Sequence, residues 1–81
     1  MSPPEIGGPV LDYYKLFDRA MYFQKAKRYE EAAAKWKQVL EISPDDVLAH
    51  SNLELVLMLS GHREEAGEHL RRAKELRSQV R

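Results

Sequence analysis

The histidines and their acidic neighbours carry the most reactive chemistry in this sequence. His62, Glu65 and His69 fall at i, i+3 and i+7, close to one face of a helix, and Asp46 and His50 fall at i, i+4. Imidazole and carboxylate at such spacings are the raw material of a zinc site, but each set lacks the ligands that a closed site needs. Pairing along a helix surface accounts for both sets better, and the reading is no metal and no cofactor. No nucleophile and base stand together in a recognisable motif, and the glycines read as tail and turn residues rather than as a phosphate loop. An enzyme is therefore the remote alternative. Arg71 to Arg81 holds five basic residues and one acidic one; cations there complement the C-terminal end of a helix dipole. Thirteen basic residues against thirteen acidic ones in 81 leave no net charge, which argues against nucleic acid as a partner.

The elements that would position these groups are all helical. Cysteine is absent, which excludes disulfide frameworks and thiolate chemistry. No stretch reaches the roughly 18 apolar residues of a membrane span, so no membrane insertion is expected, and the expectation is a soluble, cytoplasmic protein. Met1 to Val10 holds three of the four prolines and two of the four glycines, and reads as an extended arm over residues 1–11. From Asp12, a candidate N-cap, strong helix formers dominate through residue 81, one domain in all. Breaks at "AKR", "SPDD" and "SGH" divide it into helices over about 12–25, 29–42, 46–59 and 62–78. Pro44 stops the second helix, Ser43, Asp45 or Asp46 can cap the third, and Gly61 suits a left-handed helix end.

The chain also repeats itself. "RYEEAAAKW" at Arg28 to Trp36 returns as "HREEAGEHL" at His62 to Leu70, so that position i answers to position i+34. The same shift sets Ala32 on Ala66, Trp36 on Leu70, Val39 on Ala73, Ile42 on Leu76, Phe23 on Leu57 and Leu16 on His50, pairs that all fall on inward helix faces. The unit is a helix hairpin used twice. A hairpin of this period with the pattern W-x2-L-G-x2-Y, A-x3-F and P resembles the tetratricopeptide repeat, TPR. Repeat one, 13–46, matches with Leu16, Ala20, Phe23, Ala32, Trp36 and Pro44; repeat two, 47–80, matches with Leu53, Leu57, Gly61, Ala66, Leu70 and Ala73. Arg19, Lys27, Glu54 and Ser78 depart from the pattern, Lys27 at the turn glycine. The resemblance implies an all-α fold of two hairpins, four antiparallel helices in a short right-handed solenoid.

In that family the first helix of each pair lines the concave surface, which implies a protein- or peptide-binding groove of Tyr14, Phe17, Met21, Gln24, Lys25, Leu48, Ser51, Leu55, Met58 and Leu59. Seven of these ten are apolar. Stacked repeats bury their faces only against neighbours and about three are needed for stability, so the expectation is that something fills the groove. The candidates are a second copy, an amphipathic helix or extended peptide of a partner, or the chain's own "PPEIGGPV" arm. The preferred function is a non-catalytic scaffold module that self-associates as a homodimer or higher homo-oligomer; the alternative is an adaptor or chaperone-like module for another protein's apolar peptide. The family's clamp for chaperone C-terminal carboxylates finds its middle Asn at Asn52, but Phe17 and Met21 stand where its first Lys and Asn would be.

Overall fold

The computed structural model describes residues 8–79. Among them the chain forms four α-helices: α1 (Gly8–Lys25), α2 (Tyr29–Ile42), α3 (Val47–Leu59) and α4 (Arg63–Gln79). Residues 1–7 of the expected arm lie outside the described residues. Gly8 to Leu11 do not belong to an extended arm: α1 begins at Gly8, and Asp12 is inside it rather than its N-cap. Pro9 is compatible with this because the first turn of a helix has no intrahelical acceptors for its N–H groups, so a missing donor there costs nothing.

The two turns inside the hairpins are built alike. After α1, Lys27 N–H donates to Gln24 O at 3.1 Å and Arg28 N–H to Phe23 O at 2.8 Å; after α3, Gly61 N–H donates to Met58 O at 3.2 Å and His62 N–H to Leu57 O at 2.7 Å. Both are Schellman closures at equivalent places in the two repeats, and both put the central residue in the left-handed region. Lys27 has φ +62° and Gly61 φ +91°. Between the hairpins α2 ends at Ser43, whose N–H donates to Val39 O at 2.8 Å. Asp46 then caps α3, its Oδ1 accepting from Ala49 N–H at 2.9 Å. This leaves one of the three candidate caps in use.

Each helix packs on the next in chain order. The core is Ala20, Ala32, Ala33, Trp36, Val39, Ala49, Leu53, Val56, Leu57 and Ala66, with Tyr13, Leu16, Phe17, Met21, Phe23, Tyr29 and Leu40 against its edges. The alanines at 20, 32, 33, 49 and 66 let the helices approach, and Trp36 fills the space between α1 and α2. Ala73 and Leu76 are buried beyond it. Ile42, expected to face inward, is 38% exposed: it is the last residue of α2 and lies at an open surface depression with Asp12, Leu16 and Arg19 of α1. The molecule measures 17 Å along its thinnest axis, the thickness of two helical layers. α1 and α3 make one layer and α2 and α4 the other.

Candidate functional site

Two helix faces point away from the core on the α1/α3 layer. Leu11, Tyr14, Asp18, Met21 and Lys25 recur along α1 in alternating steps of i+3 and i+4, and Leu48, Asn52, Leu55 and Leu59 occupy the matching positions of the second repeat on α3. Tyr14 is 60% exposed, Leu48 59%, Leu59 53%, Met58 47% and Leu55 44%. Five large apolar side chains exposed on these two helices are a concentration of the kind that marks an interaction site.

The other expected groove residues do different work. Phe17 stands edge-on to the buried Trp36 ring, centroids 5.0 Å apart and planes at 90°, a favourable arrangement for two π quadrupoles. Met21 packs half-buried against the core. Gln24 sits at a junction: its Oε1 accepts from Trp36 Nε1–H at 3.0 Å and its Nε2 donates to Asn52 Oδ1 at 3.3 Å. Asn52 closes the chain by donating from Nδ2 to Leu48 O at 2.9 Å. These bonds satisfy the indole and fix α1 against α3; they also engage both ends of the Asn52 amide. Lys25 is exposed, and Ser51 Oγ accepts from Arg77 at 2.7 Å.

The histidines and acids are drawn apart. His50 is buried and does not pair with Asp46 along the helix surface as its spacing suggested. Its Nε2 lies 2.7 Å from Pro44 O and its Nδ1 3.3 Å from His69 Nδ1. A carbonyl only accepts, so His50 Nε2 carries a proton and donates it; in a neutral pair His69 Nδ1–H then donates to the bare His50 Nδ1. The facing nitrogens hold one proton between them. Burial first, and the charge of His50 second, hold the His69 pKa below its ordinary value. Asp46 is occupied elsewhere, accepting from Tyr13 Oη–H, while burial and this bond push the Tyr13 phenol up to about 12. His62 faces Glu30 at 3.0 Å, and Glu65 pairs with Lys37 at 2.8 Å, a bond that lowers the Glu65 pKa. Among the described residues no group of three or more His, Cys, Asp or Glu gathers where a metal could be held.

The two ends of the stack differ from its middle. Ala49, Leu53 and Val56 of α3 are fully buried against repeat one; their counterparts on α1, which would face a preceding repeat, are Lys15, Arg19 and Tyr22, all exposed. At the other end Ala20 and Ala33 of repeat one, both buried, become Glu54 and Gly67 in repeat two, and Leu40, packed at the edge of the core, becomes Lys74. Both ends carry charged residues, with Tyr22 the exposed aromatic at the first, and most of the exposed apolar side chains lie on the side.

Helix hairpins that recur at a fixed period, turn alike and stack through alternating large and small residues define a helical-repeat protein. Residues 21–61, half of the chain, match the model of the TPR repeat family. The chain belongs to that family, whose repeats mediate protein–protein interaction and are typically non-catalytic. No curated protein and no solved structure matches the chain. No described helix is long and apolar enough to cross a membrane.

Proposed function

We propose that this protein is a self-associating TPR module whose copies meet through the exposed apolar face of α1 and α3. The observation that carries this reading is the placement of Tyr14, Leu48, Leu55, Met58 and Leu59, all more than two-fifths exposed, on the two helices of one layer. Charged residues, Lys15 and Arg19 at one end and Lys74 at the other, interrupt the ends, so the side carries more of the exposed apolar surface.

Complete burial of one such side chain contributes roughly 1.5–3 kcal/mol. These five are already about half buried, so each has about 1 kcal/mol left to gain, and two copies together about 10 kcal/mol gross. Association costs roughly 4–15 kcal/mol in lost freedom and ordering. The two terms are of one size, which fits a reversible, concentration-dependent dimer rather than an obligate one.

Light scattering after gel filtration, run over a wide concentration range, tests this. The mass should rise from one chain toward two with concentration. A double change, Leu48→Glu with Leu55→Glu, should hold the protein monomeric with its helical circular dichroism intact. A wild-type mass of one chain at every concentration would refute self-association, and the face would then serve a peptide of another protein.

A further inference from the structure

The charges on the α1 face have a pattern that the apolar residues alone do not show. Asp18 and Lys25 are exposed, stand at i and i+7, and so lie about 10.5 Å apart along the helix. Neither makes an ion pair among the described residues. The matching positions on the same face of α3 are Asn52 and Leu59, which carry no charge. These stripe positions therefore present one negative and one positive group, both on α1, while Arg77 of α4 reaches Ser51 at the edge of the face.

An interface between identical copies related by a two-fold axis sets residue i against j and j against i. With α1 antiparallel to its copy and the axis crossing between Met21 and Tyr22, Asp18 falls opposite the other copy's Lys25 and Lys25 opposite the other copy's Asp18. Both charges are used and, between the two α1 helices, no like charges meet. The same axis must also suit α3. Tyr13 bonds to Asp46 and Gln24 to Asn52, so the stretch of α3 beside Met21 and Tyr22 is that around Ser51 and Asn52. Leu48 and Leu55 lie symmetrically about that point, and the axis sets Leu48 of each copy against Leu55 of the other. One axis thus matches opposite charges on α1 and leucines on α3.

Resting on the self-association reading, we propose that the α1/α3 face is an isologous antiparallel dimer interface, with Asp18 paired to Lys25 and Leu48 packed on Leu55 across the two-fold axis. Parallel pairing, with α1 of one copy over α3 of the other, would leave Asp18 facing Asn52 and Lys25 facing Leu59, with neither charge matched. Head-to-tail stacking would put the charged Lys15, Arg19, Glu54 and Lys74 into a joint that is apolar between the two repeats, where Ala49, Leu53 and Val56 are buried.

Charge exchange tests the arrangement. Asp18→Lys and Lys25→Asp should each raise the dimer dissociation constant about tenfold, because the axis counts each lost pair twice. An equimolar mixture of the two single variants should form the mixed dimer, and the double variant should return to wild-type affinity. Both sites are exposed, and circular dichroism checks that each variant is folded. The chain has no cysteine, so a second readout is clean: Leu48→Cys and Leu55→Cys copies, mixed and oxidised, should give the crosslinked heterodimer in preference to either homodimer. Wild-type affinity in every charge variant, with crosslinking indifferent to the mixture, would overturn this geometry while leaving self-association standing. A wild-type protein that stays monomeric throughout would overturn both.

Discussion

The paired turns allow a backbone cost to be measured in one molecule against its own control. Lys27 and Gly61 close equivalent turns with φ +62° and +91°. A Cβ at Gly61 would meet nothing within 4 Å, and Lys27 is itself exposed, so packing is not involved at either site. A left-handed conformation costs a residue with a side chain roughly 1–2 kcal/mol, and glycine costs roughly 0.5–1 kcal/mol in unfolded-chain freedom. Lys27→Gly therefore stabilises by about 0.5 kcal/mol, the difference of the two. Gly61→Lys destabilises by about 1 kcal/mol or more, because its φ lies well beyond the left-handed minimum near about +57°. In urea, with a slope of about 1 kcal/mol per molar for a chain this size, the midpoints should move up by about 0.5 M and down by about 1 M. Lys27→Ala, which keeps the Cβ and removes the charge, should leave the midpoint near wild type. If Lys27→Gly is destabilising while Lys27→Ala is neutral, the strain assigned to this turn is wrong.

Removing the amide that joins Trp36 to α3, by Gln24→Ala, strands a buried indole N–H and should cost about 1–3 kcal/mol in urea unfolding followed by circular dichroism. Combined with Trp36→Phe, the loss should be smaller than the sum of the two single losses by about 1 kcal/mol, since neither partner is then left waiting for the other. Acid should loosen the α3/α4 contact. The folded His69 pKa lies below its ordinary value, so the unfolded chain takes up the proton first, and this contribution to stability, full above about pH 6.5, declines as the pH falls. The groups around it are His50 from α3, Lys37 from α2, and Glu65 and Glu68 on α4; His69→Gln should flatten the slope of the urea midpoint between pH 7 and 5. At the alkaline end the Tyr13 pKa, raised to about 12, makes the folded chain hold a proton that the unfolded chain releases near 10. Stability should fall across pH 10–12, less so in Tyr13→Phe.

The sequence announces helices best where a single residue forces the backbone. Pro44 and Gly61 end their helices where expected, and the bounds of α2 and the C-terminal ends of α1 and α3 agree with the expectation. Pro9 misleads because a proline that would break a helix interior is harmless in its first turn. The inward stripe of Ala32, Trp36 and Val39 is legible from its spacing, and all three are fully buried. Less legible is how far a side chain reaches. The slot pattern places Phe17 on the outer face of α1, yet the Trp36 ring is large enough to meet it, and the same indole needs the acceptor that Gln24 provides. His50 shows the other limit. Spacing along the chain offers only its own helix as a source of partners, whereas its nitrogens reach Pro44 in the preceding turn and His69 on α4. A signal was present: His50 stands in the slot of the inward-facing Leu16, and a histidine in an apolar slot must find hydrogen bonds inside.

Comparison of the two repeats position by position carries more than the existence of a repeat. Positions that stay apolar in both copies, such as Ala32 with Ala66 and Phe23 with Leu57, lie between the helices of a hairpin, where each repeat needs them. Positions that change from apolar to polar report where neighbours stop. Leu53, buried beside the preceding repeat, corresponds to Arg19, and Ala49 to Lys15, where none precedes among the described residues; Ala20 and Leu40, in and at the edge of the core, correspond to Glu54 and Lys74. By this logic a face left to water should turn polar in both copies. The outer face of α3 does the reverse: Asp18 and Lys25 on α1 correspond to Asn52 and Leu59, and Leu48 and Leu55 accompany them. Charged residues stand at both ends of the stack, and the side of α3 keeps its leucines. Half-exposed leucines at 48, 55 and 59 support the proposal that this surface is covered by a second copy, whose register the opposite charges on α1 would set.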